Sequence, residues 1–197
     1  MFCIFCNTGF SQAKTGVENY SLLSRGDNYV WMPVIHYQSK KGIYAELRYN
    51  YEELNTVSLY GGKTFAGGKE LQFSITPMIG FAVGDFNGVS FATNTEVEWK
   101  NIYLSAQSQF SMSTKTGEPD FFFSWSELAY NFSKNIFGGL AIQYTRQQGL
   151  NETEPGVVAG VNLKDFSIPV YVFNPFSSKP YFIVGLNYEF NFNGKQK

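Results

Sequence analysis

Residues 71–83 carry an alternation of apolar with small or polar side chains. Because successive side chains of a strand point to opposite faces, this pattern predicts an extended strand with one apolar face. That face carries Leu71, Phe73, Ile75, Ile79, Phe81 and Val83. The pattern recurs along most of the chain, and strands of about 9–11 residues with this alternation can cross a membrane when they close into a barrel.

Turn signals divide the chain from residue 29 onward into a series of such strands. These signals give eleven strands. Bacterial single-chain barrels have an even number of strands, so we expect one further strand within residues 17–23. The predicted fold is an all-β, transmembrane, antiparallel up-and-down β-barrel of about 12 strands, or 10 if a short late strand does not span. The predicted strands cover residues 29–38, 43–52, 55–65, 70–83, 89–100, 102–112, 121–132, 136–147, 157–164, 166–174 and 181–192.

The connections alternate in length, which orients the barrel. Outer-membrane barrels have short periplasmic turns and longer exterior loops, so both termini are expected on the periplasmic side of the outer membrane of a Gram-negative bacterium. The short connections are residues 39–42, 67–69, 100–101, 133–135 and 164–165. The longer ones are residues 84–88, 113–120, 148–155 and 174–180.

Aromatic side chains gather at the strand ends, as in the two girdles of a membrane barrel. A soluble lipocalin-type barrel would place its apolar face inside, and the opposite face here is too charged for a dry core. The outward aromatics near the short turns are Tyr37, Phe65, Trp99, Phe132, Phe190 and Phe192. Those near the long loops are Tyr51, Phe81, Phe110 and Tyr144.

Two irregularities interrupt the alternation. The aromatic positions of residues 121–132 change phase, and a β-bulge near Ser126 and Glu127 would bring Phe121, Phe123 and Trp125 to the same outward face as Leu128 and Tyr130. Proline cannot donate to a β-ladder, so each proline inside a strand predicts a bulge or a local gap in pairing. These prolines are Pro33, Pro77 and Pro169.

The composition fits a membrane barrel of one domain. Aromatic residues make up 18% of the 197 residues, and charged residues only 16% against about 25% in soluble domains. No run approaches the roughly 18 apolar residues of a transmembrane helix. The net charge of −1 gives no reason to expect a nucleic-acid partner.

The first residues are predicted to be a secretory signal. Residues 1–12 form a short apolar run followed by small and polar residues, and one hypothesis is that Met1 lies inside a longer signal. Residues 13–28 are then a periplasmic segment or the first strand, residues 29–192 the barrel, and residues 193–197 a polar periplasmic tail. The spacing of Cys3 and Cys6 also suits a redox or metal pair, but the chain has one histidine and no other cysteine to complete a site. No metal or cofactor is expected.

Charged side chains on the face opposite the apolar one are predicted to line the lumen. Carboxylates predominate among them, and a ring of carboxylates favours cations over anions. Alternatively, these groups pair with one another and fill the barrel as a polar core. The predicted lumen-lining residues are Glu46, Arg48, Glu52, Glu96, Glu98, Lys100, Glu127, Lys164 and Glu189.

Three further motifs carry residue types that are found in active or binding sites, but structural roles explain them better. His36 is the single histidine, and a serine–histidine pair of an outer-membrane hydrolase would need it at a defined site. Gly62, Lys63 and Thr64 look like the end of a phosphate-binding loop, but that motif needs a glycine where Val57 stands. Asp85 and Asn87 are explained by a tight glycine turn. We therefore do not expect an enzyme.

The last strand carries a glycine followed by aromatic or apolar residues at alternating positions. It resembles the C-terminal β-signal of Gram-negative outer-membrane proteins, at Gly185, Tyr188, Phe190 and Phe192. The resemblance implies a small porin-like barrel in contact with outer-membrane lipid and recognised by the barrel assembly machinery. Two functions are compatible with it: a narrow channel for ions or small polar solutes, or an accessory barrel with a plugged lumen, as a subunit of a larger outer-membrane complex.

Overall fold

The computed structural model describes residues 13–24 and 29–192, which form one antiparallel sheet. In this part of the chain no helix is long and apolar enough to cross a membrane. The strands are β1 (Ala13–Ser24), β2 (Tyr29–Gln38), β3 (Ile43–Tyr49), β4 (Val57–Lys63), β5 (Phe65–Gly68), β6 (Leu71–Val83), β7 (Gly88–Trp99), β8 (Ile102–Ser113), β9 (Phe121–Asn131), β10 (Ile136–Gln147), β11 (Leu150–Leu163), β12 (Phe166–Phe173) and β13 (Tyr181–Phe192).

The sheet closes on itself as an up-and-down barrel. Apart from β4 and β5, which do not pair with each other, each strand pairs with its neighbours in sequence, and β1 pairs with β13 from Ala13↔Phe192 to Ser24↔Tyr181. The short strands β4 and β5 both pair with β6 and together make one crossing of the barrel. The barrel therefore has twelve crossings, as predicted, and β1 is the expected first strand. The predicted signal and polar tail lie outside the described residues.

Two of the three prolines inside strands, Pro77 and Pro169, coincide with gaps in hydrogen bonding. Pro77 lies opposite the break between β4 and β5, flanked by the pairs Gly62↔Met78 and Phe65↔Ile75. Pro169 lies in a gap between the pairs Ser167↔Asn187 and Val170↔Val184 of β12 and β13. The register is the same on both sides of each gap. These two prolines therefore mark gaps in the ladder, because their nitrogens cannot donate, and not bulges.

The apolar face of the alternating strands points outward. In β6, the odd-numbered side chains are exposed from Leu71 at 50% to Val83 at 61%, whereas Met78 and Ala82 are buried. The same inside–outside alternation runs through β3 and β4. The outer surface is consequently an apolar band, and the polar side chains lie in the lumen.

The predicted bulge in β9 is wrong. Its pairing with β10 runs without interruption from Phe137↔Asn131 to Gln147↔Phe121. Trp125 is buried in the lumen, whereas Leu128 and Tyr130 are exposed on the outer face. The change of phase arises because β9 has aromatic residues on its inner face near one end and on its outer face near the other. Phe121, Phe123 and Trp125 therefore lie on the inward face, not the outward one.

Two predictions at the long-loop end are also wrong. Residues 148–155 were expected to form a loop, but β10 and β11 continue to a tight turn closed by the pair Gln147↔Leu150. Tyr51 was expected on the outer surface, but it folds from the β3–β4 connection into the lumen, where its hydroxyl donates a hydrogen bond to Gln107. The outward aromatic position at this corner is therefore absent from the girdle.

Candidate functional site in the barrel lumen

Most of the predicted lumen-lining charges do point into the barrel. Glu46, Arg48 and Glu127 are buried, with 2%, 1% and 5% of their surfaces exposed. Glu96 and Glu98 share the inward face of β7 with Asn94. On β13, Glu189 forms an ion pair with Lys14 of β1, with 3.3 Å between Nζ and Oε1. Glu52 also reaches the lumen, from the β3–β4 connection.

Lys100 and Lys164 do not line the lumen. Both lie in tight turns, are exposed and have a positive φ of 56°. The Nζ of Lys100 lies 4.7 Å from the ring centroid of Trp99, on the outer surface. The prediction fails for these two residues because β7 and β11 end before them, so the inside–outside alternation no longer applies.

Arg48 is the central group of the lumen. Its Nε donates to Glu46 Oε1 at 2.5 Å, and its Nη1 lies 3.5 Å from Glu52 Oε1. The same Nη1 donates to Gln109 Oε1 of β8 at 2.7 Å, with three crossings of the barrel between β3 and β8. The guanidinium carbon also lies 4.3 Å from the ring centroid of Tyr60. Two carboxylates and a cation–π contact thus compensate the burial of this charge.

Tyr51 narrows the lumen beside Arg48. Its ring centroid lies 4.6 Å from the guanidinium carbon, and its hydroxyl donates to Gln107 on β8. Burial raises the pKa of the Tyr51 hydroxyl above its ordinary value of 10.0, so the group remains a neutral hydrogen-bond donor. Arg48 and Tyr51 together form a constriction.

Another part of the lumen is filled by apolar and aromatic side chains. Trp125 packs edge-on against Tyr171 at 5.0 Å and Phe173 at 5.7 Å, and it contacts Tyr20 at 5.7 Å, between ring centroids. Val158 and Ile183 complete this cluster. The charges on the inward face argued against a dry core, so an apolar cluster in the lumen was not predicted from the sequence and is a finding of the structure.

A small cavity remains in the lumen next to the constriction. It has a volume of about 40 Å³. Tyr20, Tyr51 and Trp125 supply aromatic surface to its wall. Its polar lining includes four carboxylates, Glu18, Glu46, Glu96 and Glu127, and the amides of Asn94 and Gln107.

Glu18 was not among the predicted lumen residues, but it is buried in the lumen with 7% of its surface exposed. Its Oε1 lies 3.3 Å from His36 Nδ1, and its Oε2 accepts a hydrogen bond of 3.0 Å from Tyr20. The alternation of Gly16, Glu18 and Tyr20 was the available signal, in a weakly patterned segment. His36 stacks on Tyr44 at 5.8 Å and packs on Gly16, where a Cβ would lie 2.1 Å from its ring.

The residues of the predicted assembly signal divide between the two faces of β13. Gly185 points inward against Pro169, where a Cβ would lie 2.7 Å from the proline Cγ. Tyr188 points outward and packs on Phe166 and Phe190, with ring centroids 4.3 and 4.1 Å apart. The side chain of Phe192 lies outside the described part of the chain.

The other candidate motifs occupy structural positions. Gly62 is an inward-facing position of β4, where a Cβ would lie 2.4 Å from the carbonyl oxygen of Pro77. Asn87 closes its turn by donating to the carbonyl of Gly84 at 2.7 Å, and Asp85 accepts a hydrogen bond of 3.0 Å from Asn55. Over residues 13–24 and 29–192, no group of three or more His, Cys, Asp or Glu residues is arranged to hold a metal ion.

No family profile and no curated protein sequence matches the chain. Its fold does match solved structures of porins. KdgM, in a complex with disordered oligogalacturonate, superposes with a TM-score of 0.67 at 14% identity, covering 89% of this chain and 99% of that one. NanC superposes with a TM-score of 0.59 at 8% identity, covering 87% and 98%. At these identities the likeness concerns the fold alone, so the chain has the closed β-barrel fold of small porins.

Proposed function

We propose that the barrel spans the outer membrane of a Gram-negative bacterium, with both termini on the periplasmic side. The support is the apolar band on the outer face. About half of the surface of Leu71, Ile79 and Phe81 is exposed there, and contact of this much apolar surface with water would cost free energy. Contact with lipid would remove these side chains from water, which is favourable by about 25 cal/mol for each Å² of apolar surface. The shorter turns at the end that holds both termini support the orientation.

In this membrane, the proposed function is a narrow porin-like channel for ions or small polar solutes, with a preference for cations. The observation that carries this proposal is the charge of the lumen, where carboxylates outnumber basic groups. Only Arg48 and Lys14 oppose them with full positive charges among the described inward-facing residues. The acidic groups are Glu18, Glu46, Glu52, Glu96, Glu98, Glu127, Glu154 and Glu189.

This charge distinguishes the proposed solutes from the compound held by one structural neighbour. KdgM is seen with oligogalacturonate, whose sugar units carry carboxylates. A lumen rich in glutamate repels such a polyanion, because like charges raise the energy of the solute along the whole path. The porin fold is therefore proposed to serve a different class of solute here.

The constriction favours a second candidate function. The bond from Arg48 to Gln109 and the contact of Tyr51 with Gln107 both reach across part of the lumen to neighbouring inward positions of β8. If they hold permanently, the barrel is a structural or accessory component with a plugged lumen, docked to a larger outer-membrane complex. During biogenesis the barrel assembly machinery would be a partner in both cases, through the strand that ends at Phe192.

Planar-bilayer recording separates the two functions. Purified full-length protein, refolded into detergent and added to a bilayer in KCl, is expected to give discrete conductance steps. As a control for leakage, the same protein is kept unfolded in urea and added to the bilayer in the same way, and it is expected to give no conductance steps. The absence of steps at every salt concentration and voltage, with folded protein demonstrably inserted, would refute the channel and leave the plugged barrel.

A further inference from the structure

The lumen cavity contains acceptor atoms that nothing in the described residues satisfies. The Oε1 of Glu127 accepts a hydrogen bond of 2.8 Å from the Tyr171 hydroxyl, but its Oε2 is buried and has no hydrogen-bond partner among the described residues. Asn94 Oδ1 is also buried and without such a partner there. Both residues line the cavity. A buried carboxylate oxygen without a donor is costly, so these atoms indicate that the cavity receives a donor.

The other carboxylates of the cavity already have partners. Glu46 is paired with Arg48, and Glu18 with His36. Glu96 accepts hydrogen bonds from Ser74 at 3.2 Å and Tyr103 at 3.2 Å. Glu127 has no cationic partner among the described residues, although only 5% of its surface is exposed. Among the carboxylates of the cavity, Glu127 is therefore the one that combines a buried oxygen without a donor and the lack of a cationic partner among the described residues.

We infer that this cavity binds the ammonium group of a small protonated primary amine. A primary ammonium carries one positive charge and three N–H donors, which matches the carboxylate of Glu127 and the carbonyl oxygen of Asn94. The rings of Tyr20, Tyr51 and Trp125 in the cavity wall suit a cation through their negative faces. This inference rests on the proposed lumen-facing function and names the class of cation.

The size of the cavity limits the ligand. Its 40 Å³ would hold about three water molecules at about 10–15 Å³ each. An ammonium group with a short carbon chain fits this space, whereas a trimethylated ammonium is bulkier and has no N–H to donate. The indole Nε1 of Trp125 is buried without a partner among the described residues and can donate to a hydroxyl beside the ammonium. Ethanolamine carries both groups and is the probe that we choose.

Trp125 can report binding without any measurement of conductance. The chain has three tryptophans, and Trp31 and Trp99 both lie on the outer surface, with 46% and 43% exposed. Replacing these two by phenylalanine leaves Trp125 as the only tryptophan, whose emission can be excited selectively over that of the tyrosines. In detergent-solubilised protein at constant ionic strength, titration with ethanolamine is expected to give a saturable change in its emission.

Three comparisons decide the inference. Glu127→Gln is expected to weaken ethanolamine binding by about ten- to a hundredfold, because a charged acceptor becomes neutral. Glu152→Gln makes the same charge change at an exposed site and is expected to leave binding unaltered. Choline and KCl are expected to give no saturable signal. An equal response to KCl would assign the cavity to alkali ions, and that result would overturn the inference.

Two other results would also overturn it: equal affinities of the parent and Glu127→Gln, and no saturable signal with ethanolamine in a folded barrel. If Glu127→Gln fails to fold, Asn94→Ala serves as the second variant, with weakened binding expected. The experiments distinguish failure of the amine site from failure of the proposed channel. A barrel that binds ethanolamine without conducting refutes the channel alone, and one that conducts without binding refutes the amine site alone.

Discussion

Arg48 on β3 donates a hydrogen bond of 2.7 Å to Gln109 on β8, across the lumen. The two residues are 61 positions apart in the chain. Because the guanidinium also binds Glu46 and Glu52, this one side chain both compensates the charge of these two carboxylates and narrows the lumen. The width of the lumen and the stability of its polar network are thus linked at Arg48.

We predict that Arg48→Ala increases conductance and destabilises the barrel. Removal of the guanidinium opens the constriction but leaves Glu46 and Glu52 buried without their cation, at a cost of about 3–5 kcal/mol. Gln109→Ala is the matched variant, because it removes the bridge and retains both ion pairs. It should increase conductance with a loss of about 1 kcal/mol. Single-channel recording and urea unfolding in lipid vesicles measure the two effects, and unchanged conductance in both variants would contradict the constriction.

A second prediction concerns alkaline pH and the Tyr51 hydroxyl. Its pKa is raised in the folded barrel, so above pH 10 the unfolded chain releases this proton while the folded chain retains it. The unfolded state then binds fewer protons, and stability falls with rising pH by up to about 1.4 kcal/mol per pH unit from this group. Tyr51→Phe removes that contribution. Unfolding free energies at pH 9 and pH 11 should therefore differ less in the variant than in the parent, and an equal difference would rule out this burial of Tyr51.

Gly185 offers a test of whether the assembly-signal glycine also has a packing role. In Gly185→Ala the new Cβ would lie 2.7 Å from Pro169 Cγ and 3.0 Å from Tyr20 Cε1, so we expect destabilisation of about 1–3 kcal/mol. Gly61→Ala is the control, since a Cβ added there would meet nothing within 4 Å. Adding Pro169→Ala should recover part of the loss. Urea unfolding of refolded protein measures these effects independently of cellular assembly, and equal stability of the two alanine variants would disprove the packing role.

The charges of β7 should contribute to ion selectivity. Glu96 and Glu98 face the lumen on the same strand, and changing both to glutamine removes two negative charges from the path. We expect the permeability ratio of K⁺ to Cl⁻ to fall towards one. Glu53→Gln together with Glu70→Gln gives the same charge change at exposed positions between strands. Identical ratios in the parent and the Glu96 and Glu98 variant would show that these carboxylates do not act on the permeating ion.

The sequence predicted those strands best in which only one face is apolar. In β6 the outward and inward faces differ at nearly every position, so both the strand and its orientation follow from the alternation. Alternation could not place Trp125, because an aromatic residue suits either a girdle or a filled lumen. The tight hairpin near Leu150 was also missed, since its strands extend past the apolar band and carry polar residues on both faces.

The site was less predictable than the fold, for a physical reason. Alternation gives the face on which a charge lies but not the partner that it meets across the barrel, which depends on the stagger of all the strands. The inward direction of Glu46 and Glu127 was therefore predicted, whereas the contacts of Arg48 with Gln109 and of Glu127 with Tyr171 were not. At strand ends even the face was uncertain, as Lys100 shows.

The reversal potential of the unmodified barrel under a tenfold KCl gradient tests the proposed cation channel most directly. With carboxylates in excess around the lumen, the current is predicted to reverse near the equilibrium potential of K⁺. A reversal potential at zero, or one displaced towards the equilibrium potential of Cl⁻, would contradict the account.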